Sequence, residues 1–229
     1  MLKTVFFDLD DTLLDCTRGE AESLSKALRE MGLTPTPAII ERYHVLNARQ
    51  WALLEEGVIT REQVLLGRFQ LLFGELQVNL EPRTMCRCYE KHLAQSCCLI
   101  PGAEELLQLL GQKYALYLMS NGTAVIQHSR LALSGIGRYF RRVFISQEIG
   151  FDKPRREFFD TCFETIPDFR REEAVIVGDS LTSDIRGGKN AGIRTCWFNP
   201  RGKEPRPDIL PDHQFSRLDQ LPALLETIS

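Results

Sequence analysis

The sequence predicts an α/β protein, a doubly wound parallel-sheet core with a helical segment inserted after its first strand. Three observations carry that expectation. Short runs rich in Val, Ile, Phe and Tyr alternate with helical runs from residue 99 onward. Between the first such run and the others lies a stretch, residues 16–98, whose apolar residues recur only at helical spacing. Finally, the strand-like runs end in acids, a serine and a lysine, at the strand ends where open parallel sheets place their ligands.

Taken in order, Thr4 to Phe7 reads as a buried strand that stops in Asp8, Leu9, Asp10 and Asp11. Ala21, Leu24, Leu28 and Met31 then mark a helix closed by Gly32. Pro35 and Pro37 break the chain before a second helix, Ala38 to Glu56, which Gly57 ends. Thr60 and Gln63 form a capping box for a third helix carrying Val64, Leu65, Phe69, Leu72 and Phe73, and Pro82 opens a fourth that reaches Ser96. The return to alternation gives helix Ala103 to Leu110, strand Tyr114 to Met119, helix Thr123 to Leu133 and strand Val143 to Ser146. Helix Pro154 to Thr165, strand Ala174 to Val177, helix Ser183 to Ala191 and strand Arg194 to Phe198 follow. Asn199 to Asp212, rich in proline and charge, reads as surface loop, and Leu218 to Ile228 as a closing helix. The expected domains are residues 1–15 with 99–229 as the core, and 16–98 as the helical insertion.

With 229 residues, 43% of them hydrophobic, the chain can bury a substantial core. A net charge of -3 without a dominant basic run argues against a nucleic-acid polymer or an anionic membrane as partner and leaves room for a small charged substrate. The chain runs into a strand straight after Lys3, shows no secretory apolar region, and has no apolar run near the ~20 residues of a membrane span. A cytoplasmic protein is therefore expected, as a monomer or weak homodimer. Seven cysteines then read as reduced, mostly buried thiols. Cys86, Cys88, Cys97 and Cys98, with His92 among them, lack knuckle spacing, and a helix turns Cys86 and Cys88 about 200° apart, so zinc is not expected. His44, His128 and His213 show no ligand pattern.

The strand ends carry the chemistry. Alternation sends Asp8 and Asp10 to one side, and two carboxylates that close call for a cation or a shared proton, suggesting Mg²⁺ together with acid/base work. Ser120 offers a hydroxyl, and the N–H groups of Asn121 and Gly122 can point at phosphate oxygens where a helix begins. Lys153 sits at the entry of a helix, the wrong end for its charge, so an anion should compensate it. Asp179 closes a strand and Asp184 follows five residues later in the first turn of a helix, near enough to share a cation site. Each has a plainer alternative: an N-cap or acidic turn for the acids and Ser120, turn formers for Asp11 and Thr12, a solvated lysine for Lys153. Their common placement at four strand ends favours one site.

On these residues the chain resembles the haloacid dehalogenase-like phosphohydrolase superfamily, whose four motifs match DLDDT, SNG, the lysine of DKP, and GDSLTSD. The resemblance implies a Rossmann-like core with a cap domain after the first motif, and a Mg²⁺-dependent phosphomonoesterase working through an aspartyl phosphate. It implies Asp8 as nucleophile, Asp10 as general acid/base, Ser120 and Asn121 as phosphate-binding, and Lys153 bridging phosphoryl group and nucleophile. Asp8, the carbonyl of Asp10 and Asp179 would hold Mg²⁺, with Asp184 supporting from behind them. Asp11 departs from the glycine of many relatives, a change that Asp tolerates because it adopts unusual backbone angles more readily than most residues.

Tyr43, Asn47, Trp51, Gly57 to Thr60 and Arg68-Phe69 further resemble the cap of pyrimidine 5'-nucleotidases that clear non-canonical nucleoside monophosphates. This implies a nucleoside monophosphate as the small-molecule phosphate ester, with Asn47, Trp51 and Arg68 as candidates for choosing it. The alternatives are a sugar-phosphate or phosphoglycolate phosphatase or a phosphoglucomutase of the same superfamily. A receiver-type signalling domain is disfavoured, because its acceptor aspartate would follow the third strand and it needs no helical insertion.

Overall fold

The computed structural model describes residues 1–228. The chain divides into two compact units, Met1–Asp15 with the chain from Cys98 onward, and Cys16–Cys97. The sequence reading places the return to the core at residue 99. Cys98 already belongs to the first unit, where its carbonyl accepts the N–H of Asp15 at 2.9 Å.

The first unit holds one parallel sheet of six strands in the order β3-β2-β1-β4-β5-β6. They are β1 (Thr4–Phe7), β2 (Ala115–Ser120), β3 (Arg142–Ile145), β4 (Ala174–Gly178), β5 (Arg194–Phe198) and β6 (His213–Phe215). All pairings between these strands are parallel; the connections up to β5 pass through helices, and residues 199–212, without a helix, lead to β6. β1 lies between β2 and β4, with Phe7 level with both Leu118 and Val177, so the segments after these three strands emerge side by side.

Because alternate residues face opposite ways, the strands build two cores. Val5, Phe7, Leu116, Leu118, Val175 and Val177 face one side. There they meet Leu106, Leu107 and Leu110 of α5 (Ala103–Leu110). Phe6, Tyr117, Met119, Phe144 and Ile176 face the other, against Phe158, Phe159, Cys162 and Phe163 of the first unit's C-terminal half. Phe6 is fully buried within 5.4–5.9 Å of the rings of Tyr117, Phe163 and Phe169.

The second unit is four helices: α1 (Cys16–Glu30), α2 (Pro37–Glu55), α3 (Arg61–Leu76) and α4 (Pro82–Leu93). Thr36 caps α2 by accepting Ile39 N, and Thr60 with Gln63 makes the expected reciprocal box on α3. α1 packs on α4, α2 on α3, and α3 on α4, burying Leu24, Leu28, Tyr43, Val64, Phe69, Leu72, Met85 and Tyr89. Among the described residues no helix is long and apolar enough to cross a membrane. All seven cysteines are free thiols. Cys86, Cys162 and Cys196 are buried, but Cys16, Cys88, Cys97 and Cys98 are only half-buried, fewer sequestered thiols than expected. Burial pushes the thiols of Cys162 and Cys196 up to about 12, which keeps them neutral and unreactive.

The remaining helices of the first unit lie between its strands, except the last, which follows β6. They are α6 (Ala124–Ser134), the single turn α7 (Ser146–Ile149), α8 (Arg156–Glu164), α9 (Arg186–Ala191) and α10 (Leu221–Thr227). Three local differences from the sequence reading stand out. β3 stops at Ile145 and Ser146 begins α7; α8 starts at Arg156 rather than Pro154; and a π-helical turn, Leu181–Ile185, precedes α9. β6 was not foreseen, since three residues after a long loop carry too little alternation to be read as a strand.

Phe6→Ala removes the ring that three others surround, and the cavity should lower folding stability by about 3–5 kcal/mol. Denaturant unfolding of the two proteins checks this; a loss under about 1 kcal/mol would mean that the sheet core repacks freely.

Candidate active site

The site is built from the segments that follow β1, β2, β3 and β4. Lys153, between α7 and α8, is 1% exposed, and its Nζ donates to Asp8 Oδ1, Asp184 Oδ1 and the carbonyl of Met119, each at 2.7 Å. Three acceptors satisfy the three N–H bonds of an ammonium. Burial alone would depress this lysine, but Asp184 and Asp8 outweigh it and hold its pKa above the ordinary value, so it stays charged. The solvated-lysine alternative is therefore replaced by a buried ion pair.

Asn121 fixes that lysine through the backbone rather than through charge. Its side-chain oxygen accepts Lys153 N at 2.8 Å and its amide nitrogen donates to Lys153 O at 2.9 Å. The sequence reading drew on the backbone of Asn121 for phosphate; its side chain is engaged in holding the loop that delivers Lys153.

Thr12, read as a turn former, links the first and fourth segments. Its hydroxyl donates to Asp8 Oδ2 at 3.3 Å and accepts Asp179 N at 3.1 Å, with no exposure to solvent. Asp11 beside it has φ 54°, the left-handed conformation that turns the chain back after β1. The indole N–H of Trp197 on β5 donates to the carbonyl of Asp179 at 2.8 Å, steadying that residue from the opposite side.

Asp8, Asp179 and Asp184 each bring a carboxylate oxygen within 4.8 Å of the others. Asp184 is spoken for: Lys153 takes Oδ1, and Ser180 N donates to Oδ2 at 3.1 Å. Gly178 leaves room for it, since a Cβ there would lie 2.2 Å from Asp184 Oδ2. The carboxylate of Asp179 accepts no hydrogen bond from any described residue. Burial, then the charges of Asp8, Asp184 and Asp11, hold its pKa well above the usual carboxylate range, against a weaker pull from Lys203. Asp8 behaves alike: burial pushes its carboxyl up to about 8 against Lys153, with Asp184 and Asp10 adding to the rise. Were all three acids ionised, the single ammonium would leave a double negative charge, which suits a divalent cation held mainly by Asp8 and Asp179.

Ser120 is buried at the end of β2, its Oγ accepting Gly122 N at 3.1 Å and Gln127 Nε2 at 2.8 Å. With both lone pairs occupied, its hydroxyl hydrogen is free to be donated. Asp10, one third exposed, takes Arg130 Nη1 on Oδ1 at 2.5 Å and Gln127 Nε2 on Oδ2 at 2.7 Å. The structure thus brings Asp8, Lys153, Asp179 and Asp184 together, and joins Ser120 to Asp10 through Gln127. Gln127, Arg130, Thr12 and Trp197 were missed as site residues; Gln127 and Arg130 stand with His128 and Ser129 in one polar run of α6, where nothing in the spacing separates buried from exposed positions.

The three cap candidates lie in the helical unit. Arg68 is 2% exposed, its guanidinium 5.1 Å from the Phe69 ring and 4.9 Å from that of Tyr89. It donates to Asn47 Oδ1 at 3.1 Å, and Asn47, also buried, donates to Glu20 at 2.8 Å. Trp51 is half-buried, with the Arg61 guanidinium 5.7 Å over its ring.

A parallel sheet with clustered carboxylates and a buried lysine at its strand ends, and a helical insertion after β1, is the frame of an α/β enzyme. The chain belongs to the haloacid dehalogenase-like hydrolase family, whose model matches residues 5–198. It is similar to the HAD-hydrolase YfnB of Bacillus subtilis, whose crystal structure is described as bound to magnesium, with 37% identity, a TM-score of 0.94 and 98% of each chain covered. It is also 36% identical to the pyrimidine 5'-nucleotidase PynA of Streptococcus pneumoniae over 99% of this chain and 96% of that one. With the pyrimidine 5'-nucleotidase YjjG of Escherichia coli it shares 33% identity over 96% of both.

The raised acids set a pH dependence. Folded Asp8 keeps its proton up to about 8 whereas the unfolded value is 3.8, so between these limits the cation-free fold loses stability as pH rises. A divalent cation held by these acids would take their ionised form, so magnesium should raise the thermal midpoint more at pH 8 than at pH 5, the stabilisation at pH 8 reaching about 2.7 kcal/mol at a hundredfold excess over the Kd that holds there. Equal shifts at the two pH values, or none, would contradict the cation site.

Proposed function

We propose that this enzyme is a Mg²⁺-dependent phosphomonoesterase whose substrates are pyrimidine nucleoside 5'-monophosphates, non-canonical ones among them. The observation that carries the phosphatase reading is the buried Lys153 ammonium, 2.7 Å from Asp8, within an acidic cluster. A carboxylate cannot approach a phosphate dianion unless positive charge is already in place.

The bound cation, held by Asp8 and Asp179 with the Asp10 carbonyl, would supply charge neutralisation at the phosphoryl oxygens and at the attacking carboxylate. Lys153 orients Asp8 and offsets its charge, and the Ser120 hydroxyl donates to a phosphoryl oxygen. An Asp8 oxygen attacks phosphorus, the bond from phosphorus to the ester oxygen breaks, and the departing oxygen takes the proton of Asp10. Water then attacks the aspartyl phosphate, giving its proton to the ionised Asp10, and the bond to Asp8 breaks to return the carboxylate and inorganic phosphate. Asp184 acts through Lys153, which it shares with Asp8.

Support for the nucleotide class comes from PynA and YjjG, both pyrimidine 5'-nucleotidases and both similar to this chain along nearly its whole length. Trp51, with its ring partly exposed, is the proposed base contact; Asn47 and Arg68 bear on selectivity through the frame of α2 and α3 that they bond together.

Asp8→Asn, and separately EDTA, should each remove hydrolysis of dUMP and UMP, read as phosphate release; appreciable turnover in either case would refute the mechanism. A panel adding thymidylate, sugar phosphates and phosphoglycolate tests the substrate class. A preference for the non-nucleotide esters would transfer the enzyme to the sugar-phosphate or phosphoglycolate phosphatases.

A further inference from the structure

Arg130 is an unusual residue to find on α6. It is 1% exposed, and so is Gln127 one turn before it. A buried guanidinium persists only where acceptors meet it, and here they are Asp10 Oδ1 at 2.5 Å and Gln127 Oε1 at 3.0 Å. The second contact decides how the amide of Gln127 faces. With its oxygen turned to Arg130, its Nε2 reaches Asp10 Oδ2 at 2.7 Å and Ser120 Oγ at 2.8 Å. Gly122 makes the space, because a Cβ there would lie 2.2 Å from Gln127 Nε2. The donors are buried while Asp10 keeps one third of its side chain exposed, so the carboxylate is gripped from behind with an open side.

We infer that Gln127 and Arg130 are positioning residues that hold the Asp10 carboxylate in a fixed pose beside Ser120, so that proton donor and phosphoryl-binding hydroxyl stay in register. This rests on the phosphatase reading, in which Asp10 gives its proton to the departing ester oxygen and later takes one from the attacking water. Neither residue touches the substrate. Their loss therefore acts on kcat and leaves KM near its wild-type value.

The test uses the full chain with magnesium, comparing wild type, Arg130→Met, Arg130→Lys and Gln127→Met on UMP and on p-nitrophenyl phosphate. For UMP, whose alkoxide needs a proton, Arg130→Met and Gln127→Met should lower kcat by about tenfold or more with KM within about threefold. Arg130→Lys, which keeps a cation, should recover part of the loss. With p-nitrophenyl phosphate the departing phenolate needs no proton, so the first equivalent should appear at the wild-type rate, followed by slow turnover as water attack on the aspartyl phosphate limits. Raised KM with intact kcat would make Arg130 a substrate contact and overturn the inference, as would equal loss of the first equivalent or unchanged kinetics. Should Arg130→Met fail to fold, Gln127→Met, which removes no charge, decides by the same readouts. A wild type inert toward every ester overturns the phosphatase reading and this inference together; an active wild type with unaffected variants overturns this inference alone.

Discussion

Everything in the catalytic crevice depends on one ammonium group with no access to water. Lys153 is enclosed by Asp8, Asp184 and a main-chain carbonyl, and removing any one partner of such a pair costs about 3–5 kcal/mol because the other charge is stranded. The arrangement draws together four parts of the chain that are far apart in sequence. Asn121 grips the backbone N–H and carbonyl of the lysine, Thr12 ties the Asp8 segment to that of Asp179, and Ser180 N anchors Asp184. Crowded like-charged carboxylates are tolerated because that single cation is pinned among them, with a metal ion able to complete the neutralisation.

The parallel sheet turns this local chemistry into geometry. β1 is central, with β2 and β4 paired to it in level register, so the loops after the three strands leave one edge of the sheet together. A slip of one residue in either pairing would carry an acid or Ser120 out of line with its neighbours. The buried Val, Ile, Leu and Phe residues beneath therefore serve the site as well as the core: they fix the height at which each functional side chain emerges.

Much of this was legible in the sequence, for a physical reason. A buried strand that ends in Asp, Ser or Gly-Asp breaks its own apolar pattern, and Asp8, Ser120 and Asp179 are such breaks. Gln127 and Arg130 give no comparable signal, because on a helix a polar residue facing the crevice has the same spacing as one facing water. The same ambiguity affects Asn47 and Arg68, whose side chains meet inside the helical unit. Thr12 was hidden by being a good turn former, and the π-helical turn at Leu181–Ile185 by matching an α-helix in composition. The parallel sheet came through because alternating strands and helices admit few topologies; β6 did not, because three residues are too few to show a period.

Where the helical insertion leaves and rejoins the first unit, Leu14 bridges Leu99 in antiparallel fashion and Asp15 N bonds Cys98 O. The two chain passages are thus stitched together at the boundary, like the neck of a drawstring bag. For the sheet, an excursion whose two ends already touch is equivalent to a tight turn, however much polypeptide it contains. Evolution can accordingly lengthen, trim or replace the polypeptide between those two passages without retuning the carboxylates.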